Sequence, residues 1–319
     1  MTSVSRKSRH HARALELVLP ATSANLGPAF DAAALALNLF IKIRAQVAEE
    51  FSIAAKGRDR DICGELKNNL ILSTYREVLE NERKSAPPLT LEIENEIPIG
   101  KGCGSSAAAR LAGIAMAVHF GKLRWSDEQI VGEASRREHH PDNAAACWMG
   151  GLSVAKMSNG AKAQVAYLAP KGRWPILLAV PEASLSTESA RRALPEKYSR
   201  ADAVTNIQNS MLLLAAFSQG RRDLLTSALE DRIHEHYRAL LCPLLPALKT
   251  VPADCRVLGV ALSGAGPSVI IFLDDKAVLS RAKSKITNYL AAKNLVAELI
   301  HTSISTRGAG KLGNWTRRQ

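Results

Sequence analysis

Three glycines at alternate positions, Gly100, Gly102 and Gly104, run directly into Ser105, Ser106, Ala107 and Ala108. The full segment, Pro98-Ile99-Gly100-Lys101-Gly102-Cys103-Gly104-Ser105-Ser106-Ala107-Ala108, stands between a strand pattern and a long Ala-rich helix pattern. Glycine lets the backbone turn tightly and approach a ligand, and a helix that opens on small residues leaves its first N–H groups and its dipole facing an anion. That is the chemistry of a phosphate cradle. No Gly-Lys-Ser/Thr tripeptide ends the loop, so it is not a Walker loop, and the spacing and later acid of a dinucleotide fingerprint are absent. By itself the segment also fits a turn used only for packing.

Two further loops carry polar or glycine-rich runs. Leu262-Ser263-Gly264-Ala265-Gly266-Pro267-Ser268 joins two strand patterns, and a hairpin needing positive φ at Gly264 or Gly266 would look the same. Pro20–Asp31 gathers Thr22, Ser23, Asn25 and Asp31 after the first strand pattern, where polar residues are ordinarily turn-formers. What sets them apart from ordinary turns is their occurrence together and in this order.

The elements that would hold these loops can be read from periodicity. Leu15–Leu19 is expected as a strand ending at Pro20, with further strands at Leu35–Ile43, Leu89–Ile93, Leu152–Lys156, Ile176–Val180, Leu258–Leu262, Val269–Leu273 and Leu295–Ile300. Helices are expected over Asn69–Arg83, Ser105–Phe120, Asp127–Arg137 with Ser126 as cap, Thr187–Arg192, Ala203–Phe217, Asp223–Glu230 and Lys276–Ala292. The alternation predicts an α+β architecture in which helices cover one side of each sheet. Pro170, Gly172 and Pro175, with Lys171 and Arg173 among them, mark a domain boundary, giving units over 15–170 and 171–305. Residues 1–14 read as a disordered basic arm and 306–319 as a basic tail.

The net charge of +12 over 319 residues raises nucleic acid, an anionic membrane surface or phosphorylated ligands as partners. Its location argues against the first two. Residues 1–15 and 299–319 hold eight positive charges and no acid, so the 283 residues between them carry only +4. Five cysteines form no C-x-x-C pair and no zinc spacing, which points to buried thiols in a reducing compartment. No apolar run approaches the ~18 residues of a membrane span, and no secretory leader pattern follows the basic start, so the expectation is a cytoplasmic chain.

Taken in order, the three loops resemble the conserved regions of the GHMP small-molecule kinases, and most closely those of the homoserine kinases, over about Leu17 to Ile300. Further elements strengthen the resemblance: Glu138-His139-His140-Pro141-Asp142-Asn143 followed by Gly150-Gly151, Ser186–Pro195, and Asp231–Arg238. Ala29, Cys103 and His139 stand where the family pattern has glycine, leucine and glycine. The resemblance implies a two-domain fold, with an N-terminal domain like ribosomal protein S5 domain 2 and a ferredoxin-like C-terminal domain, and ATP bound between them. It implies phosphorylation of the hydroxyl of L-homoserine, a step towards threonine, with ATP and Mg²⁺ as cofactors, no nucleic-acid or membrane partner, and a homodimer as the candidate assembly.

Roles follow from the resemblance residue by residue. The cradle 98–108 would hold the phosphates, and Asn69 would either touch adenine or merely cap its helix. Mg²⁺ would take a serine of the Ser105–Ser106 pair, Ser106 being chosen, and a glutamate, with Glu133 preferred to Glu138 because a ligand from within a helix can face the cradle. Arg191 and Arg238 would fork the substrate carboxylate, whereas Arg192 is read as surface charge. Asp31 and Asp142 would hold the ammonium, Asn25, His140 and Gly264 would complete the pocket, and Asn143 would orient the hydroxyl. His139 is read as structural. Whether a dedicated base exists stays open, with Asp31, Asp142 and Asn143 as the groups nearest the reaction. The rival readings are another small-alcohol kinase of the same family, such as one for mevalonate, a kinase fold that no longer turns over, and a nucleic-acid-binding protein on the S5-like fold.

Overall fold

One long strand organises the first half of the molecule. The computed structural model describes residues 14–158 and 162–313, and in it β1 (Leu15–Asn25) and β2 (Ala29–Val47) form an antiparallel pair along nearly their whole length. There follow β3 (Ser52–Gly57), α1 (Arg60–Gly64), α2 (Leu70–Asn81), β4 (Leu89–Asn95), α3 (Ser105–Phe120), α4 (Asp127–Glu138), α5 (Asp142–Met149), β5 (Leu152–Ser158) and β6 (Lys162–Leu168). The free edge of β2 is shared between β4, on residues 41–47, and β5, on residues 33–35. β3 and β6 extend the sheet at its two ends.

Local chemistry accounts for most of these elements. β4 alternates buried Leu89, Leu91 and Ile93 with less buried Thr90, Glu92 and Glu94, the period-2 signature of a half-covered strand. α4 starts on a capping box in which Ser126 and Gln129 satisfy each other's backbone N–H groups. The expected end of β1 at Pro20 is corrected. A register irregularity lies between Pro20 and Ala21, so the missing N–H falls at a bulge and the strand continues to Asn25.

The second half comprises β7 (Ile176–Val180), α6 (Thr187–Arg192), α7 (Arg200–Gln219), α8 (Leu225–Ala228), α9 (Glu235–Arg238), α10 (Leu244–Lys249), β8 (Val257–Leu262), β9 (Val269–Leu273), α11 (Leu279–Ala291) and β10 (Glu298–Thr302). Its sheet runs β10-β7-β9-β8, antiparallel throughout. Here the expectation of one-sided cover is overturned. All residues of β7 and β9 are buried: Ile176, Leu178, Ile270 and Phe272 join the core that also contains Leu213 and Phe217 of α7, while Leu177, Ala179, Val269 and Ile271 pack with Leu245 and Leu248 of α10 and Ile286 of α11. A strand buried on both faces reads as a continuous apolar run, without the alternation that would reveal which side is wet. The change of sheet falls between Leu168 and Ile176.

The basic arm lies, apart from Ala14, outside the described residues, as does 314–319 of the tail. Residues 306–313 are not a loose tail. Ser305 exchanges backbone bonds with Ala36 and Gly151, Tyr167 Oη donates to the Thr306 carbonyl at 3.0 Å, Ala309 is fully buried, and Gly308 lies against the Trp148 backbone. Glycine and alanine here permit a close approach that the basic composition of the tail does not reveal. Among the described residues no helix is long and apolar enough to cross a membrane.

A Cβ at position 308 would run into the Trp148 carbonyl and the Gly150 nitrogen. Gly308→Ala is expected to cost about 1–3 kcal/mol by overpacking and to lower the thermal midpoint by several degrees; an unchanged midpoint would mean that this segment does not pack as described.

Candidate active site

The three glycine or polar loops meet because they hydrogen-bond to one another. Thr22 N donates to the Cys103 carbonyl at 3.0 Å, Gly264 N to the Ala24 carbonyl at 3.0 Å and Asn25 Nδ2 to the Gly264 carbonyl at 2.8 Å. Ser263 Oγ donates to the Gly102 carbonyl at 2.7 Å, and Ser268 N to that of Lys101 at 3.3 Å. Gly102 and Gly104 have φ of 77° and 72°, and a side chain at either would strike the Ser263 and Gly266 carbonyls or Thr22 Oγ1. Both positions therefore need glycine on two counts, backbone conformation and space.

The loops enclose a cleft with about 650 Å³ of open space out to its mouth. Gly100, Gly102, Gly104, Ser105, Ser106 and Ala107 form one wall, and Asn25, Asp31, Glu138, His140, Asp142, Asn143, Arg191, Arg238 and Gly264 surround the rest. α3 begins there on Gly104 with no side-chain cap, so the N–H groups of its first turn remain available to an anion.

Not every expected cradle residue faces this space. Pro98, Ile99, Lys101, Cys103 and Ala108 do not line the cleft. Cys103 and Ala108 are fully buried, Ile99 N donates to Asp59 Oδ2 at 3.0 Å, and Lys101 Nζ is turned away onto the Glu182 carbonyl. Burial pushes the Cys103 thiol up to about 12, with the Ser268 hydrogen bond and Arg58 only partly opposing it, so the sulfur stays protonated and inert. Asn69 is also corrected. It is buried, its Oδ1 accepts from Ile71 N and Leu72 N at 3.1 and 3.2 Å, and its Nδ2 donates to the Cys63 carbonyl at 3.1 Å. The oxygen is spent on capping α2 and the nitrogen on the last turn of α1.

The preference for Glu133 is overturned as well. Its carboxylate is taken by Arg136 at 2.8 Å and Arg137 at 2.6 Å, away from the cleft. Burial works against its charge, but these two guanidiniums hold the carboxyl below its ordinary value. Five residues further on, at the end of α4, Glu138 points the other way: Ser106 Oγ donates to its Oε1 at 2.7 Å, and Arg110 pairs with the same oxygen. The next residue, His139, adopts φ 67°, which is the conformation that favours glycine at this point in the family pattern.

Beside the cradle Asp142, at the start of α5, organises two neighbours. Its Oδ1 accepts from Asn143 N at 2.6 Å and lies 2.6 Å from His140 Nδ1, while Thr22 Oγ1 donates to Asn143 Oδ1 at 2.6 Å. Burial disfavours a charged His140, yet the hydrogen bond and charge of Asp142, with Asp31 and Glu138 behind it, raise its pKa above the ordinary value.

Arg191 of α6 forks Asp31, with Nη2 at 2.8 and 2.9 Å from the two oxygens. Arg192, by contrast, is exposed and paired with Glu188. Arg238 is only 1% exposed, and its hydrogen-bond partners are uncharged: Nε donates to the Ala190 carbonyl at 3.1 Å, and Nη1 lies 3.1 Å from His234 Nδ1. Among the described residues no carboxylate forms an ion pair with it. Thr22 is picked out in the sequence only as a polar loop residue with no site role, and His234 is not picked out, although both lie inside the motifs that carry the resemblance.

The family model described as GHMP kinases N terminal domain matches residues 69–151, and the one described as GHMP kinases C terminal matches 213–292. A homoserine kinase of Solibacter usitatus is 39% identical over 292 residues, covering 92% of this chain and 95% of that one. The chain belongs to the homoserine kinases of the GHMP kinase family. A crystal structure of homoserine kinase from Cytophaga hutchinsonii, 21% identical, superposes with a TM-score of 0.77 over 97% of this chain and 98% of that one. Mevalonate kinase from L. major shares the fold at 16% identity, with a TM-score of 0.68 over 92% of this chain and 97% of that one. The cleft of this GHMP kinase thus lies where two family domains meet, with the cradle from the first and Arg238 and Gly264 from the second.

A histidine whose pKa is raised on folding adds stability that is complete below the ordinary value of 6.5 and is lost as pH rises through the folded-state value. Asp142→Asn removes the hydrogen-bonded charge and leaves burial to act. The His140 ring C–H resonances should then titrate at lower pH than in the parent protein; an unshifted titration would contradict the pairing.

Proposed function

We propose that this homoserine kinase transfers the γ-phosphoryl group of ATP to the side-chain hydroxyl of L-homoserine, in the cytoplasm. The observation that carries the reading is Arg238, a buried guanidinium at the cleft that forms no ion pair with a carboxylate among the described residues. Burial first, and the like charge of Arg191 next, push its pKa below the ordinary value, with Asp31 opposing. An arginine so placed calls for an anionic ligand, and its planar fork suits a carboxylate.

The neighbouring pair refines the ligand. Asp31 and Arg191 pair with each other at the cleft. An α-amino acid can replace both partners at once, ammonium to Asp31 and carboxylate to Arg191 and Arg238. An alcohol acid without an amine, such as mevalonate, offers only the anion and leaves Asp31 unanswered. This favours homoserine over the other small alcohols of the family, and nothing in the cleft calls for nucleic acid.

Phosphoryl transfer depends on positioning and charge neutralisation more than on covalent chemistry. The first turn of α3 would bind the phosphate oxygens. Ser106 and Glu138 place two hard oxygens side by side at the cradle, the donor type Mg²⁺ selects, so these two residues would hold it. Bound there, the ion would offset phosphate charge. Asn143, its oxygen engaged by Thr22 and its Nδ2 donating to Asp142 Oδ1 at 3.4 Å, keeps a second amide N–H for the acceptor hydroxyl, and His140, steadied by Asp142, closes the same wall.

Steady-state assays with ATP and a panel of L-homoserine, L-serine and mevalonate test this directly. Homoserine should give the highest kcat/KM; turnover of mevalonate without turnover of homoserine would overturn the assignment. In the same assay Glu138→Gln is expected to reduce kcat by about 10²–10³-fold, the scale of removing one electrostatic contact to the reacting group, whereas Glu133→Gln should leave kcat within about threefold.

A further inference from the structure

One of the hydrogen-bond partners of Arg238 is a buried imidazole. His234 is fully buried, and its Nε2 lies 2.8 Å from the Gly27 carbonyl, which can only accept, so Nε2 must carry the proton. Nδ1 is then a lone pair, and it faces Arg238 Nη1 at 3.1 Å, a group that can only donate. Both bonds require the same neutral tautomer.

The surroundings hold the ring in that state. Asp231 stands 4.0 Å from Nε2, with its oxygens already accepting from the backbone N–H groups of Ile233, His234 and Glu235. Phe30 of β2 packs on the ring at 5.2 Å between centroids. Arg238 lies on the same turn, and Lys249 comes from α10 with its Nζ on Glu235. Burial above all, and then the charges of Arg238 and Lys249, outweigh Asp231 and push the imidazole down to about 4. An imidazolium would present an N–H to the guanidinium; the neutral ring presents an acceptor.

We propose that His234 is a positioning residue for substrate recognition, tying the Gly27 backbone of the first loop to the Arg238 guanidinium and so fixing the angle at which that buried cation meets the substrate carboxylate. This rests on the homoserine reading above.

Two near-isosteres separate the two bonds. Asparagine places an amide oxygen near Nδ1 and keeps an acceptor for Arg238, while glutamine places an amide nitrogen near Nε2 and keeps only the bond to Gly27. H234N should hold KM for homoserine within about threefold of the parent, and H234Q should raise it about tenfold or more, the loss expected for one hydrogen bond to a charged group. KM for ATP should not change in either. A merely structural role would raise KM in parallel with loss of thermal stability in both variants, and equal KM values in H234N and H234Q overturn the inference alone. A parent enzyme that does not turn over homoserine overturns the functional reading and this inference with it. If either variant fails to fold, ¹⁵N spectra of the parent decide: the buried imidazole should be neutral and Nε2-protonated at pH 6, and an Nδ1–H tautomer or a cation there contradicts the proposal.

Discussion

The structure keeps a guanidinium out of water without pairing it to a carboxylate among the described residues. Arg238 sits 1% exposed on carbonyl and imidazole partners, and like-charged Arg191 lines the same cleft. Such a group is costly unless something else supplies the anion, and the cost of an unpaired buried charge amounts to several kcal/mol. Much of the second half of the chain is arranged around it. Asp231 caps the turn that leads into α9, α6 lends the Ala190 carbonyl, and Glu235 binds Leu262 N at 2.7 Å, so the strand entering the third loop is braced by the same short segment.

The anion cradle depends on that brace in turn. Its two critical glycines are seated against the first and third loops, and the bonds joining the three loops link residues as much as 239 apart in sequence. Loop conformation in the first domain is therefore set partly by the second. A ligand that spans the cleft contacts elements that already hold one another in register, which limits the ordering cost at the moment of binding.

Several features were legible because glycine and small residues leave a chemical trace. Gly100, Gly102 and Gly104 before a small-residue helix read as an anion site, and the structure places all three on the wall of the cleft at the start of α3. Glu138 was harder, because helical phase alone does not say which face of α4 meets the cradle; the ion pairs of Glu133 with Arg136 and Arg137 decide it. Asn69 could cap or contact, and two backbone N–H groups claimed it. The two-sided burial of β7 and β9 and the packing of 306–313 on Trp148 depend on what lies across from them, which no local pattern records. His234 left no signal of its own, since its role consists of two bonds to distant groups.

On the proposed function, the buried charge of Arg238 is kept for a substrate carboxylate. Arg238→Lys retains the charge and loses the planar fork, so it tests geometry without removing the ion. Steady-state kinetics should show kcat/KM for homoserine lower by roughly 100-fold, in the range for disturbing a buried, hydrogen-bonded charge contact, with KM for ATP unchanged. A lysine variant that handles homoserine as well as the parent would contradict it.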